Sequence, residues 1–357
     1  MKVKEIKYDC RYFRGDVPCK PHKLYGVHCT DKHGKPCAYY QQTDKKILII
    51  KLGAIGDVIR TTSLLSKLTA VEPKAEIWWL TLTPDVIPKS VDVILPFTPQ
   101  SLATLQAVKF DLLINLDKDR EACALAANIS ADIKKGFTLK NGKCVPINGQ
   151  AEHKYLTGVF DDLSKLNTKS YQQEIFEICG YQFNGEEYIM PEVINYRWKL
   201  PKNKIIIGLN TGCGGRWTSR LWDEKNWIPL AKKLKKAGCI PLLLGGEQEH
   251  EKNFKLAKAS GALYLGHFTL NQFMSEVDQC EIVVTAVTMA MHLAIGLKKK
   301  LVLFNNIFNK HEFELYGRGK IVEPDFECNC FYSPTCKNNC MQYISVDRVF
   351  KSIKSLL

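Results

Sequence analysis

The sequence predicts an α/β protein: two doubly wound domains of parallel sheet covered by helices, their strand ends facing a shared cleft, preceded by a small Cys-rich module. Three observations carry that reading. From Lys46 onward, apolar runs of strand length alternate with amphipathic stretches of helix length. The alternation lapses over 180–203, an irregular stretch holding Pro191 and Pro201, and then starts again. Residues 1–42 are rich in Cys, Lys and His and show no sustained periodicity. The expected division is therefore 1–42 for the module, 43–190 for the first domain and 200–357 for the second.

In the first domain the strand candidates are 47–52, 75–81 ("AEIWWLT"), 92–95 and 111–116 ("DLLINL"). The helix candidates between them are 57–70, 100–108, 119–128 and 170–179. In the second domain strands are expected at 204–209 ("KIIIGL"), 239–245, 281–285 and 300–304. Helices are expected at 223–237, 248–259, 270–279 and 288–296.

The chain has 357 residues, and hydrophobic residues make up 45% of them, enough for two cores. No apolar run approaches the roughly 20 residues that span a bilayer, and the N-terminus has no apolar segment of signal-peptide type. A cytoplasmic protein is expected. The net charge of +13 favours an anionic partner such as a nucleotide, a phosphorylated lipid, a membrane surface or a nucleic acid. The excess is densest at the start, where residues 1–46 hold 11 Lys/Arg against 5 Asp/Glu.

Four segments carry chemistry. In "KLGAIGDVIRTT", Lys51 to Thr62, Gly53 and Gly56 permit a tight turn where strand gives way to helix. Asp57 then stands at the helix start, either as a cap for free backbone N–H groups or as a general base for a sugar hydroxyl. The segment lacks the full dinucleotide fingerprint and the Lys-Ser/Thr of a P-loop. In "GLNTGCGGRWTSRLWDEKNW", Gly208 to Trp227, a strand enters a loop holding Gly212, Gly214 and Gly215. Backbone N–H groups there, with the hydroxyl of Thr211 and the charges of Arg216 and Arg220, suit a diphosphate; the alternative is a flexible loop with solvated arginines. In "LLLGGEQEHE", Leu242 to Glu251, Glu247 follows a strand and two glycines, a place suited to a ribose diol but common for any Glu in a first helical turn. In "VVTAVTMAMHLAIGL", Val283 to Leu297, Thr288 and His292 lie four apart on one helix face. Taken by itself, His292 reads as a core residue.

Fourteen cysteines without a secretion signal argue against disulfides. Two groups stand out. Cys10, Cys19, Cys29 and Cys37 fall within 37 residues, and Cys328, Cys330, Cys336 and Cys340 within 13. Four thiolates in either group suit structural zinc or iron, with reduced free thiols as the alternative. A structural metal would also explain how so short an N-terminal module folds.

Together these motifs resemble glycosyltransferase family 9, the ADP-heptose:lipopolysaccharide heptosyltransferases, over about residues 46–350. The order matches: "ILIIKLGAIGDVIRTTSLLSKL", then "TGCGGRWTSRLWDEKNW" with Arg220 where Lys is usual, then "LLLGGEQE" and "AVTMAMHLAIGLKKKLVLF". The ending "CFYSPTCKNNCMQYISVDRV" is similar to the Cys-bearing C-terminal segment of some members. The resemblance implies a GT-B fold of two Rossmann-like domains, the first for the acceptor and the second for the nucleotide sugar, and an inverting transfer without a catalytic metal. It implies Asp57 as base, Arg220 on the donor phosphates, Glu247 near the donor ribose, and Thr288 and His292 in the donor loop. The family's Asp-Thr-Gly-x-x-His reads Val287-Thr288-Met289-x-x-His292 here, which leaves the sugar open.

The expected function is thus transfer of a heptose or related sugar from an ADP-sugar to a saccharide such as the lipopolysaccharide inner core, at the anionic inner face of a membrane. The alternatives are a protein acceptor, as for autotransporter heptosyltransferases, or a non-enzymatic, metal-bearing protein that binds nucleic acid through residues 1–46. Nucleic acid is the less favoured partner.

Overall fold

The computed structural model describes residues 2–357. The chain divides into two units, each with its own sheet: residues 1–52, 65–84 and 89–148 form the first, and residues 53–64, 85–88 and 149–357 the second.

The first unit is built on a six-stranded sheet. Its strands are β1 (Lys45–Ile50), β2 (Ala75–Thr81), β3 (Val93–Pro96), β4 (Phe110–Asn115), β5 (Ala131–Lys140) and β6 (Lys143–Pro146), in the order β3-β2-β1-β4-β5-β6. The first five run parallel, and β6 closes the sheet antiparallel to β5. Ile47, Leu48, Ile49 and Ile50 of β1 are all buried, as a central parallel strand covered on both faces requires. β5 and β6 were not expected from periodicity. They form a hairpin whose two-residue turn, Asn141-Gly142, has positive φ at both positions, as a primed turn needs.

The second unit carries an all-parallel sheet of β7 (Ile206–Asn210), β8 (Ile240–Leu244), β9 (Ile282–Ala286), β10 (Lys300–Phe304) and β11 (Gly319–Val322), in the order β11-β10-β9-β7-β8. Helices Glu224–Lys236, His250–Ser260, Leu270–Asp278 and Met289–Gly296 lie where the sequence places them, to within two residues. The helix Val346–Lys354 and strand β11 were not anticipated. Trp222, Trp227, Leu230 and Leu234 meet Val349 and Ile353 of that last helix in one core. Residues 181–205 hold neither helix nor strand.

The expected helix over 57–70 is two helices, Ile55–Thr61 and Ser63–Val71. Residues 2–43, within the first unit, carry the helix Lys20–Tyr25, one short 3-10 turn (Val3–Glu5) and two isolated bridges, Cys10 to Gln42 and Thr30 to Pro36. Among the described residues no helix is long and apolar enough to cross a membrane.

Candidate active site

The strand order of the second unit fixes where a ligand can bind. The chain leaves β7 toward β8 on one side, while β9 pairs on the other, so the loops after β7 and β9 diverge and leave a crevice. Asn210, the last residue of β7, sits at that point. Its amide donates to the Gly212 carbonyl at 3.1 Å, to Thr285 Oγ1 at 2.9 Å and to Thr288 Oγ1 at 3.3 Å. Thr288 is the N-cap of the helix Met289–Gly296, whose first residues line the crevice and turn free backbone N–H groups toward it.

A pocket of about 500 Å³ opens there, lined by residues of the second unit alone. That is the size of a site for a compound of nucleotide dimensions. Of the sequence-predicted residues, Asp57, Gly212, Gly214, Arg220, Thr288 and His292 line it. Thr211, Gly215, Arg216 and Glu247 do not. The Thr211 hydroxyl is buried and donates to Asn253 Oδ1 at 2.6 Å. Gly215, Arg216 and Glu247 are exposed. At the end of the 3-10 turn Glu247–Glu249 that follows β8, it is Glu249 that reaches the pocket, its carboxylate accepting from the Gly246 N–H at 3.0 Å.

Arg220 is held by carbonyl oxygens: Nη1 donates to Val287 O and Nη2 to Cys213 O at 3.1 Å. Its guanidinium also lies 5.7 Å from the Phe308 ring centre. Burial works against its charge. Among the described residues no carboxylate forms an ion pair with it. A half-buried cation supplied only with carbonyl dipoles retains its attraction for an anion.

Asp57 enters from the helix Ile55–Thr61. The N-cap of that helix is Ala54, with no side-chain capping bond, so Asp57 sits in the first turn and is not the cap residue. Its Oδ1 pairs with Arg60 Nη2 at 2.7 Å; the Asp57 side chain is 35% exposed and the Arg60 side chain 12%. Arg60 in turn stacks on Tyr171, 3.5 Å from the ring centre, which fixes where the carboxylate is aimed.

His292 is buried, and its Nδ1 has no hydrogen-bond partner. Burial first, and then the Arg60 charge, pull its pKa down to about 3, so the ring is neutral. That ring explains a motif residue. A Cβ on Gly56 would stand 2.3 Å from His292 Cδ2, so only glycine lets the two helices approach. At Gly212 an added Cβ would stand 2.1 Å from Glu249 Oε1, the end of a flexible side chain that would have to swing away. Sequence reasoning missed Asn210, Glu249, Trp217, Glu312 and Tyr332 as lining residues, although the first three lie inside or beside the quoted motifs. Glu312 is a carboxyl raised by burial, opposed by Lys154 and Arg60.

The C-terminal cysteines converge. The sulfurs of Cys328, Cys330, Cys336 and Cys340 all lie within 4.8 Å of one another, with Cys328–Cys336 at 3.5 Å and Cys330–Cys340 at 3.6 Å. Thiolates around one tetrahedral ion at about 2.3 Å stand roughly 3.8 Å apart, so the four fit a single zinc or iron. Among the described residues Cys10, Cys19, Cys29 and Cys37 form no group so tight. The loop holding the C-terminal four also braces the pocket. Ser219 donates to Pro334 O at 3.0 Å and to Ser333 O at 2.7 Å, and Asn306 donates to Ser219 O at 2.7 Å and to Cys340 Sγ at 3.3 Å.

Residues 168–321, which hold the crevice loops and their helices, match the family model for glycosyltransferase family 9 (heptosyltransferase). Over that segment, under half of the chain, the sequence is similar to glycosyltransferase family 9. Solved structures share its fold. E. coli ADP-heptose lps heptosyltransferase II is 17% identical, with 87% of this chain and 98% of that one covered and a TM-score of 0.63. E. coli heptosyltransferase WaaC with ADP-2-deoxy-2-fluoro heptose is 15% identical, covering 87% and 100%, at 0.61. The iron-containing dodecameric glycosyltransferase TibC of enterotoxigenic E. coli is 11% identical, covering 88% and 76%, at 0.54. The matched segment thus sits in a GT-B-like fold, as the motifs led one to expect. No curated protein matches the chain at a comparable level.

Proposed function

We propose that this chain is a glycosyltransferase that moves a heptose or related sugar from an ADP-sugar to a saccharide acceptor such as the lipopolysaccharide inner core, inverting the anomeric carbon. The observation that carries the proposal is the Arg220 guanidinium, held by carbonyls and unpaired with any carboxylate among the described residues, in the same pocket as Asp57. Inverting transfer has two demands. The acceptor hydroxyl must lose its proton as it attacks, and the departing diphosphate must be stabilised. Asp57 takes the proton. Arg220, the amides of Gly212 to Gly215 and the N-terminus of the helix Met289–Gly296 take the diphosphate charge. The donor ribose is assigned to Glu249, whose carboxylate faces the pocket, in place of Glu247. The donor side is assigned to residues 200–357 and the acceptor side to 43–190. Structural zinc or iron is assigned to the C-terminal four cysteines, with no catalytic metal. The net charge of +13 suits work on a lipid-linked glycan at an anionic inner leaflet.

The test compares ADP, UDP and GDP in thermal shift, followed by turnover of ADP-heptose. ADP should raise Tm most. Arg220→Ala should weaken ADP by about 1.5–3 kcal/mol, as loss of a charged hydrogen-bonding group does. Equal shifts with all three nucleotides, or an unchanged response in Arg220→Ala, would remove the donor assignment. Transfer to a polypeptide and not to a saccharide would reassign the acceptor alone.

A further inference from the structure

Residues 2–43 pose a folding problem. Among them only Pro21 is buried, so the segment has no hydrophobic core. Segments of about 40 residues without a core are ordinarily held by disulfides or a metal. No disulfide is present: all fourteen cysteines are free.

We infer that Cys10, Cys19, Cys29 and Cys37 bind one metal ion as thiolates, and that this ion holds residues 2–43 together. All four line a single small cavity of about 20 Å³, with His28 in the same wall. That is room for one occupant of water size, hence one ion. Three separate local structures deliver the thiols. Cys29 and Cys37 face each other across a tight hairpin: Cys37 N–H donates to Cys29 O at 3.0 Å, Thr30 bridges Pro36, and Asp31 Oδ1 accepts from the His33 and Lys35 amides at 2.8 and 2.9 Å. Cys19 is the N-cap of the helix Lys20–Tyr25. Cys10 bridges Gln42 at the end of the segment.

The sulfurs are spaced more widely than those of the C-terminal group. The ion therefore draws them inward as it binds and releases the thiol protons, which couples loading to local folding. Arg11, next to Cys10, fastens the assembly to the sheet: it bonds Asp92 at 2.7 Å and the Ala75 carbonyl at 2.9 Å at the start of β2.

The experiment is metal analysis of the full chain purified without chelator under argon. Two equivalents of zinc or iron per chain are expected, and elemental identity distinguishes the two metals. Cys19→Ser/Cys37→Ser should lose one equivalent and become protease-sensitive within residues 2–43, while its ADP-induced thermal shift is retained. Cys336→Ser/Cys340→Ser should lose the other. An unchanged metal content in Cys19→Ser/Cys37→Ser overturns the inference. Should that variant prove insoluble, alkylation mapping of the wild-type chain decides. Protection of Cys10, Cys19, Cys29 and Cys37 that chelator removes supports the site. Full reactivity before chelation, or two disulfides among the four, sinks it.

Discussion

The two sheets of this chain present the same topological opportunity and use it differently. In the first unit the strand order reverses between β1 and β4, and the loops leaving them are closed by a buried ion pair of Lys51 with Asp117, each side chain 6% exposed. Asp117 also accepts the Leu52 N–H. In the second unit the reversal lies between β7 and β9, and the strand-end polar group is a neutral amide, Asn210. Glycine loop, helix N-terminus and an arginine without a carboxylate partner surround it. A doubly wound sheet offers a crevice wherever its order reverses. Whether that crevice binds ligand depends on whether the chain fills it with its own charges.

The sharpest test of the open crevice is Asp57→Asn. If Asp57 is the general base, transfer should slow by about 10²–10⁴-fold while ADP binding and folding persist. Normal turnover per folded molecule would return Asp57 to a structural role beside Arg60. The closed crevice is tested by Asp117→Ala, which leaves the Lys51 charge buried. Removing one partner of a buried pair costs about 3–5 kcal/mol, so the urea midpoint should fall steeply. Lys51→Met/Asp117→Leu should recover most of that stability. A single variant as stable as the wild type would mean the pair does not hold these loops.

The units also differ in how they keep a carboxyl out of water. Asp117 has Lys51 beside it. Glu276, on the helix Leu270–Asp278, is fully buried, and neither of its oxygens has a hydrogen-bond partner among the described residues. Burial alone pushes its pKa up to about 8, from 4.5. The folded chain keeps this proton up to about pH 8, while the unfolded chain gives it up near pH 4.5. Between those values the folded state binds more protons, so stability falls as pH rises and levels off above pH 8. Glu276→Gln should match the wild type near pH 4.5 and exceed it by up to a few kcal/mol at pH 8. Parallel Tm-against-pH curves for the two proteins would show that Glu276 finds a partner or solvent.

Most of this architecture is legible in the sequence because parallel strands buried on both faces leave continuous apolar runs such as "KILII". The β5–β6 hairpin was missed because "ADIKKGFTLK" is half exposed and carries no such run, although Asn141-Gly142 was the available signal. At the site, residue types were readable and reasons were not. Gly56 and Gly212 look like phosphate-loop glycines, yet side chains from 292 and 249, distant in sequence, press on them. Glu247 and Glu249 are equivalent on paper. Only the 3-10 turn Glu247–Glu249 decides which one faces the pocket.

The smallest effect expected is that of Cys336→Ser, and it asks whether the open crevice depends on the Cys loop behind it. Cys330 and Cys340 pack on Ile307, with Trp217 and Phe308 against the same cluster, and Tyr332 of that loop lines the pocket. Ser219, beside Arg220, is bonded to the loop through both its N–H and its hydroxyl. A metal lost from the four thiolates should therefore loosen Arg220 without touching Asp57, which enters from a different helix. ADP affinity should fall by about tenfold, or 1.4 kcal/mol, and kcat at saturating donor should fall as well, because Arg220 also takes up the charge of the departing diphosphate. Metal analysis with calorimetric ADP titration reads both quantities. Loss of the metal with unchanged ADP affinity would separate the Cys loop from the site, and the open crevice would then stand on its own strands and glycines, as the closed one stands on its ion pair.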